Sequence, residues 1–389
     1  MALAILGLLV GCSTPPLPGT APAVRDAGSI ASAAQPGRTP TPATNPAVAP
    51  QRERSRWIAA EWSELPGWGA DRASEFWPAL QRSCARPAPG WAETCAMAAM
   101  TEPGDDVSTA LWLMQHLQPW RIESHAGESQ GLLTGYYEPQ LDATRRPQGA
   151  FRVPLHAAPA DLARRRPWFS RQQIDSEAAL QAQLRPLAYV EDPIDALVLQ
   201  IQGSGRLRLQ DETGTSRWVR LAFAGHNDLP YQSIGKQLVE RGELKASEAG
   251  WNGIRDWLRR NPGRERELLW GNPRYVFFRE EPISDPDLGP RGAQGVPLTP
   301  GRSIAVDPAS IPYGTPVWLA ATEPLSSTPL QRLVMAQDTG SAISGAVRAD
   351  LFWGWGEQAA LQAGRTRQPL RVWVLWPRTI QTLSSRAPS

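Results

Sequence analysis

Beyond residue 131 this chain is written in short β-type runs, each soon cut off by Gly or Pro before a helix of ordinary length can form. Leu132 to Pro139, Ala196 to Gln202, Arg217 to Phe223, Tyr275 to Phe278 and Leu370 to Leu375 share that texture, which favours strands bounded by turns. Two helical stripes interrupt it. One runs near Ser233 to Arg241; the other starts at Ser247, carries Trp251, Ile254, Trp257 and Leu258 on one side, and stops before Pro262. From Arg52 to about Leu117 the spacing is helical. There Asp71 is placed to cap a segment bearing Phe76, Trp77 and Leu80, and Asp105 one bearing Val107, Leu111, Met114 and Leu117. The expected fold class is mainly β with some α, and no repeat of solenoid length is visible.

Three carboxylates stand out against this texture. Asp307, Asp338 and Asp350 fall within 44 residues. Asp307 closes Ile304-Ala305-Val306 and precedes Pro308, Asp338 closes Val334-Met335-Ala336-Gln337 and precedes Thr339-Gly340, and Asp350 leads into Leu351-Phe352-Trp353. Acids where strands open into Gly- or Pro-containing loops sit beside potential clefts, and a cluster of them points to acid–base chemistry. The plainer role for Asp307 and Asp338 is to bind loop amides at a strand corner. Asp338-Thr339-Gly340 also has the form of an aspartic-protease motif. Such enzymes share one proton between two copies, and this chain has a single one, preceded by the polar Gln337. The run Gln200-Ile201-Gln202-Gly203-Ser204-Gly205-Arg206 lets backbone approach closely, because Gly203 and Gly205 lack a Cβ. Its spacing is neither that of a phosphate loop nor that of a Ser-hydrolase elbow.

A chain of 389 residues can bury two cores, and a formal net charge of +2 gives no broad electrostatic grip on nucleic acid. Seventeen Trp against seven Phe and six Tyr is an excess that core packing mostly absorbs, while an exposed few would suit stacking on sugar faces. Met1 to Gly11 is apolar and too short to span a bilayer. It ends in Leu9-Val10-Gly11-Cys12, which resembles the lipobox of bacterial lipoproteins, where the Cys becomes the acylated first residue. No Lys or Arg precedes the apolar run, so the initiator is expected upstream of Met1. Residues 13–50 are rich in Pro, Ala, Thr and Ser and are expected to form an extended tether. Cys84 and Cys95 remain, and a closely spaced pair in an exported protein favours a disulfide. His116, His125, His156 and His226 show no ligand spacing, so neither metal nor cofactor is expected.

The phrases Gly135-Tyr136-Tyr137-Glu138-Pro139, Ile201-Gln202-Gly203-Ser204-Gly205, Tyr231-Gln232-Ser233-Ile234-Gly235, Tyr275-Val276-Phe277-Phe278, Ala305-Val306-Asp307-Pro308, Gln337-Asp338-Thr339-Gly340 and Ala349-Asp350 occur in this order. Together they resemble the membrane-bound lytic murein transglycosylase A family, glycoside hydrolase family 102. The resemblance implies a double-psi β-barrel catalytic domain with a second β-barrel-like domain inserted and a groove between them. The expected boundaries are 1–12 for the leader ending at the acylated Cys12, 13–50 for the tether, 51–139 and 272–380 for the catalytic domain, and 140–271 for the insert.

The resemblance also implies non-hydrolytic cleavage of the β-1,4 bond between N-acetylmuramic acid and N-acetylglucosamine, leaving a 1,6-anhydro product. Asp350 is then the catalytic acid with Asp338 and Asp307 as neighbours. Thr134, Tyr137, Gln202, Ser204, Gly205 and Trp353 are expected along the groove, with Trp355 as a further stacking surface. Glycan strands of peptidoglycan are the expected ligand, and cell-wall synthesis or division proteins the expected class of partner for a monomer. Ser13 after the lipobox Cys, in place of Asp, favours the outer membrane of a Gram-negative bacterium, facing the periplasm. A hydrolytic muramidase and a noncatalytic murein-binding lipoprotein are the rival readings.

Overall fold

The computed structural model describes residues 51–378, apart from residue 103 and residues 211–213. The leader, the tether and Cys12 lie outside the described residues. In chain order the strands are β1 (Arg56–Ala59), β2 (Leu117–Glu123), β3 (Gly131–Glu138), β4 (Gln140–Thr144), β5 (Val153–His156), β6 (Pro186–Val190) and β7 (Ser204–Gln210). They continue as β8 (Ser216–His226), β9 (Val276–Pro282), β10 (Ser303–Val306), β11 (Thr315–Thr322), β12 (Pro329–Asp338), β13 (Arg348–Trp355) and β14 (Arg367–Pro377). The first sheet has the order β1-β2-β14-β11-β12-β10-β13-β3, and β3 pairs again with β14, which closes β14, β11, β12, β10, β13 and β3 into a ring. The second sheet has the order β5-β6-β4-β7-β8-β9.

The ring forms because its strands are apolar on alternate positions in two independent sets. Leu133, Ile304, Val306, Val317, Leu319, Val334, Ala336, Ala349, Leu351, Val372 and Val374 fill one buried cluster. The residues between them, Trp318, Leu333, Met335, Trp373 and Leu375, join a second cluster with Phe76, Trp77, Leu80 and Leu113 of the N-terminal helices. A side-chain period of two sends the sets to opposite faces. Both faces are covered, so these strands read as nearly continuous apolar runs. Trp62, Trp68, Trp77, Trp91, Trp112 and Trp376 also belong to or pack on the second cluster, so much of the Trp excess is packing. A disulfide between Cys84 and Cys95 joins the helices Trp77–Cys84 and Ala92–Ala99.

Three local expectations change. Ala196 to Gln202 is not a strand but the body of the helix Pro193–Gln202. Asp192 caps it, Oδ1 accepting from the Ile194 N–H at 2.7 Å, Pro193 opens it, and Gly203 at φ +83° ends it. A short apolar run does not by itself separate a strand from a buried helix; the caps do. Asp105 caps its helix as expected, accepting from the Ser108 N–H at 2.8 Å. Asp71 instead binds the Leu333 N–H at 2.8 Å and the Arg302 guanidinium at 2.6 Å, tying the N-terminal segment to the ring. The second sheet takes in β9 as far as Pro282, so its strands run past the 271 edge read from the sequence.

One residue, Pro139, separates β3 of the ring from β4 of the second sheet. Glu138, the last residue of β3, has no exposed surface and lies between two buried arginines of the second sheet. Arg206 Nε donates to Oε2 at 2.8 Å, and Arg220 donates to Oε1 through Nε at 2.6 Å and to Oε2 through Nη2 at 3.2 Å. Their other N–H groups meet the carbonyls of Pro286 (2.8 Å) and Leu288 (2.7 and 3.0 Å), and the Arg206 guanidinium stacks 3.6 Å over the Trp355 ring. Glu138→Gln leaves two buried cations short of their counter-charge, so it is expected to cost about 3–5 kcal/mol of stability. Denaturant unfolding followed by tryptophan fluorescence reads that loss directly.

Candidate active site

Register brings the acid to its partners. β13 runs parallel to β3 with Asp350 beside Thr134, and antiparallel to β10 with Asp350 beside Ala305. Ala349 and Leu351 point into the ring core, so Arg348, Asp350 and Phe352 take the other face; on β3, Leu133 likewise points inward and Thr134 and Tyr136 outward.

On that outer face Thr134 Oγ1 donates to Asp350 Oδ1 at 2.5 Å, and Arg348 Nη2 donates to Thr134 Oγ1 at 2.9 Å. A guanidinium has no acceptor, so Arg348 fixes the Thr134 hydroxyl as donor to the acid. Oδ1 is thereby an acceptor, and the acid's own proton belongs on Oδ2. Burial pushes the Asp350 pKa up to about 6, against the hydrogen bond from Thr134 and the charge of Arg348, with the nearby Asp338 adding to the rise.

Asp338 ends β12 on the same side. Its Oδ2 accepts from the Tyr136 phenol at 2.9 Å and its Oδ1 from the Ala293 N–H at 2.9 Å. Burial raises its pKa, opposed by those bonds and by the Thr339 amide. Tyr136 packs against Phe352, ring centroids 5.3 Å apart, and burial together with Asp338 holds its phenol well above the usual tyrosine range.

Asp307 is 7% exposed and follows β10. Its Oδ1 accepts from the Ala309 N–H at 3.0 Å and its Oδ2 from the Gly345 N–H at 2.8 Å, with Ser344 Oγ at 3.4 Å and Arg54 Nη1 at 3.5 Å. These partners fit the plainer alternative, a clasp for two loops. The remaining groove residues divide. Ser204 and Gly205 are buried, and a Cβ at Gly205 would stand 2.6 Å from Leu199 Cδ1 and 3.3 Å from the Pro139 carbonyl. The missing Cβ admits the chain itself, not a ligand. Trp353 is partly buried against the ring core, and its Nε1 donates to Thr366 Oγ1 at 3.0 Å. Gln202 and Tyr137 stay partly exposed, Gln202 Oε1 accepting from the Tyr137 N–H at 3.0 Å. Tyr136, Arg348 and Ala293, which bond the acids or their partners, were not among the expected site residues; the spacings Thr134-x-Tyr136 and Arg348-x-Asp350, two apart on one strand face, carried the signal for the first two.

Residues 132–279 match the family described as MltA specific insert domain, and residues 302–376 match the 3D domain. The membrane-bound lytic murein transglycosylase A of Vibrio cholerae is 34% identical over 257 residues, 64% of this chain and 67% of that protein. That of Escherichia coli K12 is 33% identical over 267 residues, covering 67% and 69%.

This chain belongs to the membrane-bound lytic murein transglycosylase A family.

Solved structures of the family agree in fold. MltA from Neisseria gonorrhoeae superposes with a TM-score of 0.74 at 31% identity, covering 86% of this chain and 96% of that one. The lytic transglycosylase LtgG of Burkholderia pseudomallei gives 0.60 at 44% identity, covering 86% and 98%, and E. coli MltA with bound chitohexaose gives 0.63 at 27%, covering 86% and 96%.

Thr134→Val removes a bond that favours ionised Asp350 while leaving burial in place. The alkaline limb of the kcat/KM profile on murein is therefore expected to move to higher pH than in the parent protein.

Proposed function

We propose that this chain is a peptidoglycan lytic transglycosylase in which Asp350 alone acts first as acid and then as base. The relatives it matches over two thirds of their length are lytic murein transglycosylases. The observation that supports Asp350 is its combination of a pKa near 6 with an Oδ2 left over for the proton. Protonated Oδ2 donates to the glycosidic oxygen between N-acetylmuramic acid and N-acetylglucosamine as the C1–O4 bond breaks. The carboxylate then takes the proton of the muramyl C6 hydroxyl while O6 bonds to C1. One proton leaves Asp350 and one returns, and no water enters the product.

Ordinary glycosidases need a second carboxyl as base or nucleophile. Asp338 has both oxygens engaged by Tyr136 and Ala293, and Asp307 both by loop donors, which favours the one-acid route over a muramidase. Asp338 supplies negative potential beside an oxocarbenium-like transition state. Thr134 orients the acid, Tyr136 orients Asp338, and Tyr137 and Gln202 remain the groove-wall candidates.

The proposal extends to placement. Cys12 would carry lipid and residues 13–50 would tether the body to the outer membrane, facing the periplasm. Those relatives are membrane-bound, and among the described residues no helix is long and apolar enough to cross a membrane. Residues 51–139 and the chain from about 283 would form a double-psi barrel domain, with the second sheet as the insert.

Asp350→Ala is expected to lower turnover of purified sacculi about a thousandfold or more. Because the folded site raises this acid's pKa, its ionised form weakens the fold as pH rises from its unfolded value of about 4 through about 6. The variant should thus be at least as stable as the parent at neutral pH. Mass spectrometry of the parent's products decides the class: anhydro-muropeptides are one water lighter than muramidase products, and reducing ends in their place would reject the one-acid route.

A further inference from the structure

The face of the second sheet that bears the Glu138 clamp continues outward. Gln140, Arg206 and Arg220 lie side by side across β4, β7 and β8, and Asp142, Arg208 and Trp218 form the next row on the same face. The intervening Ala143, Leu207, Leu209, Val219 and Leu221 fill the sheet's own core on the opposite face. The inner row reaches the catalytic strand, where Arg206 stacks on Trp355, five residues after Asp350. The outer row lies about 7 Å beyond it. Exposure rises along this direction, from 4% at Arg206 and 7% at Arg220 to 46% at Trp218.

The outer row has the chemistry of a sugar platform. Arg208 donates through Nε and Nη2 to the two oxygens of Asp142 at 2.5 and 2.7 Å, making a bidentate, charge-neutral pair beside the half-exposed indole of Trp218. The pair still has N–H donors and oxygen lone pairs to offer to hydroxyls. Arg217, next to Trp218 in sequence, lies 3.7 Å from Glu280. A single exposed Trp is ordinary; alignment with the clamp and with Trp355 sets this one apart.

We propose that Trp218, with the Arg208–Asp142 pair, is a distal saccharide subsite that holds an N-acetylated pyranose of the same glycan strand that reaches Asp350. Thr134 and Asp142 are eight residues apart in sequence, so the two sites are separated by no more than about 30 Å, a reach that several linked sugars span. The subsite favours long strands over short fragments. This inference rests on the glycan-cleaving reading of the site, and the test separates the two.

Calorimetric titration of the protein with N-acetylglucosamine oligomers, trimer against octamer, measures the length preference. Trp218→Ala is expected to weaken octamer binding about tenfold, which is about 1.4 kcal/mol, with trimer affinity unchanged, and Trp218→Phe to retain part of the difference. On sacculi the Ala variant should show raised KM with kcat unchanged, the mark of lost uniform binding. Octamer affinity equal to the parent's in a folded Ala variant overturns the subsite. Absence of anhydro products from the parent protein overturns the catalytic reading instead, while the binding series still decides Trp218.

Discussion

The arrangement depends on one buried carboxylate. Glu138 takes hydrogen bonds from Arg206 and Arg220 in a space with no solvent, and the clamp carries one more positive than negative charge. The Leu288 and Pro286 carbonyls take up the remaining N–H groups, so the excess charge is answered by backbone dipoles of the chain returning to the ring. Such clusters add little net stability against an apolar replacement, yet they are exacting about geometry. Here the geometry they enforce belongs to β3. Thr134, Tyr136 and Glu138 project from one face of that strand about 7 Å apart, so anchoring the third positions the two hydroxyls that hold Asp350 and Asp338.

In the proposed mechanism a single side chain gives a proton and then takes one, which needs an environment that commits to neither form. The balance is visible at Asp350. Burial and Asp338 disfavour the charge, while Thr134 and Arg348 favour it, and the outcome near 6 leaves both forms accessible close to neutral pH. Asp338 is arranged otherwise: two fixed donors hold its oxygens, which suits a group that supplies potential without exchanging protons. Asp307 shows the limiting case, a carboxylate held by the Ala309 and Gly345 amides with Ser344 and Arg54 beside it.

The sequence revealed the acids more readily than it revealed what surrounds them. Asp307, Asp338 and Asp350 are conspicuous because each adjoins a β-branched or aromatic run, and strand ends are set locally by those runs and the following Gly or Pro. The spacings Thr134-x-Tyr136 and Arg348-x-Asp350 mark shared strand faces, but the partners, Thr134 for Arg348 and Asp338 for Tyr136, lie more than two hundred residues away, and local pattern does not name them. The Gln202-Gly203-Ser204-Gly205 stretch misled for a related reason. Gly205 does mark a close approach, but what approaches is Pro139 and Leu199 of the same chain, while Gly203 ends a helix in open space. Ala196 to Gln202 misled because apolar composition matches a strand and a buried helix equally, and the deciding residues, Asp192, Pro193 and Gly203, lie at its ends.

The same alternation that builds the ring also protects the chemistry. On β13, Ala349 and Leu351 fill the core while Arg348, Asp350 and Phe352 face outward, and on β3 the inward Leu133 alternates with Thr134. A one-residue slip of either strand would drive a carboxylate or a guanidinium into the apolar interior and expose leucine, a cost of several kcal/mol with no partner to offset it. Core packing therefore selects the one register in which Asp350 meets Thr134. The Asp350–Thr134 pairing needs no separate device to hold it, because the hydrophobic order of the ring already excludes the alternatives.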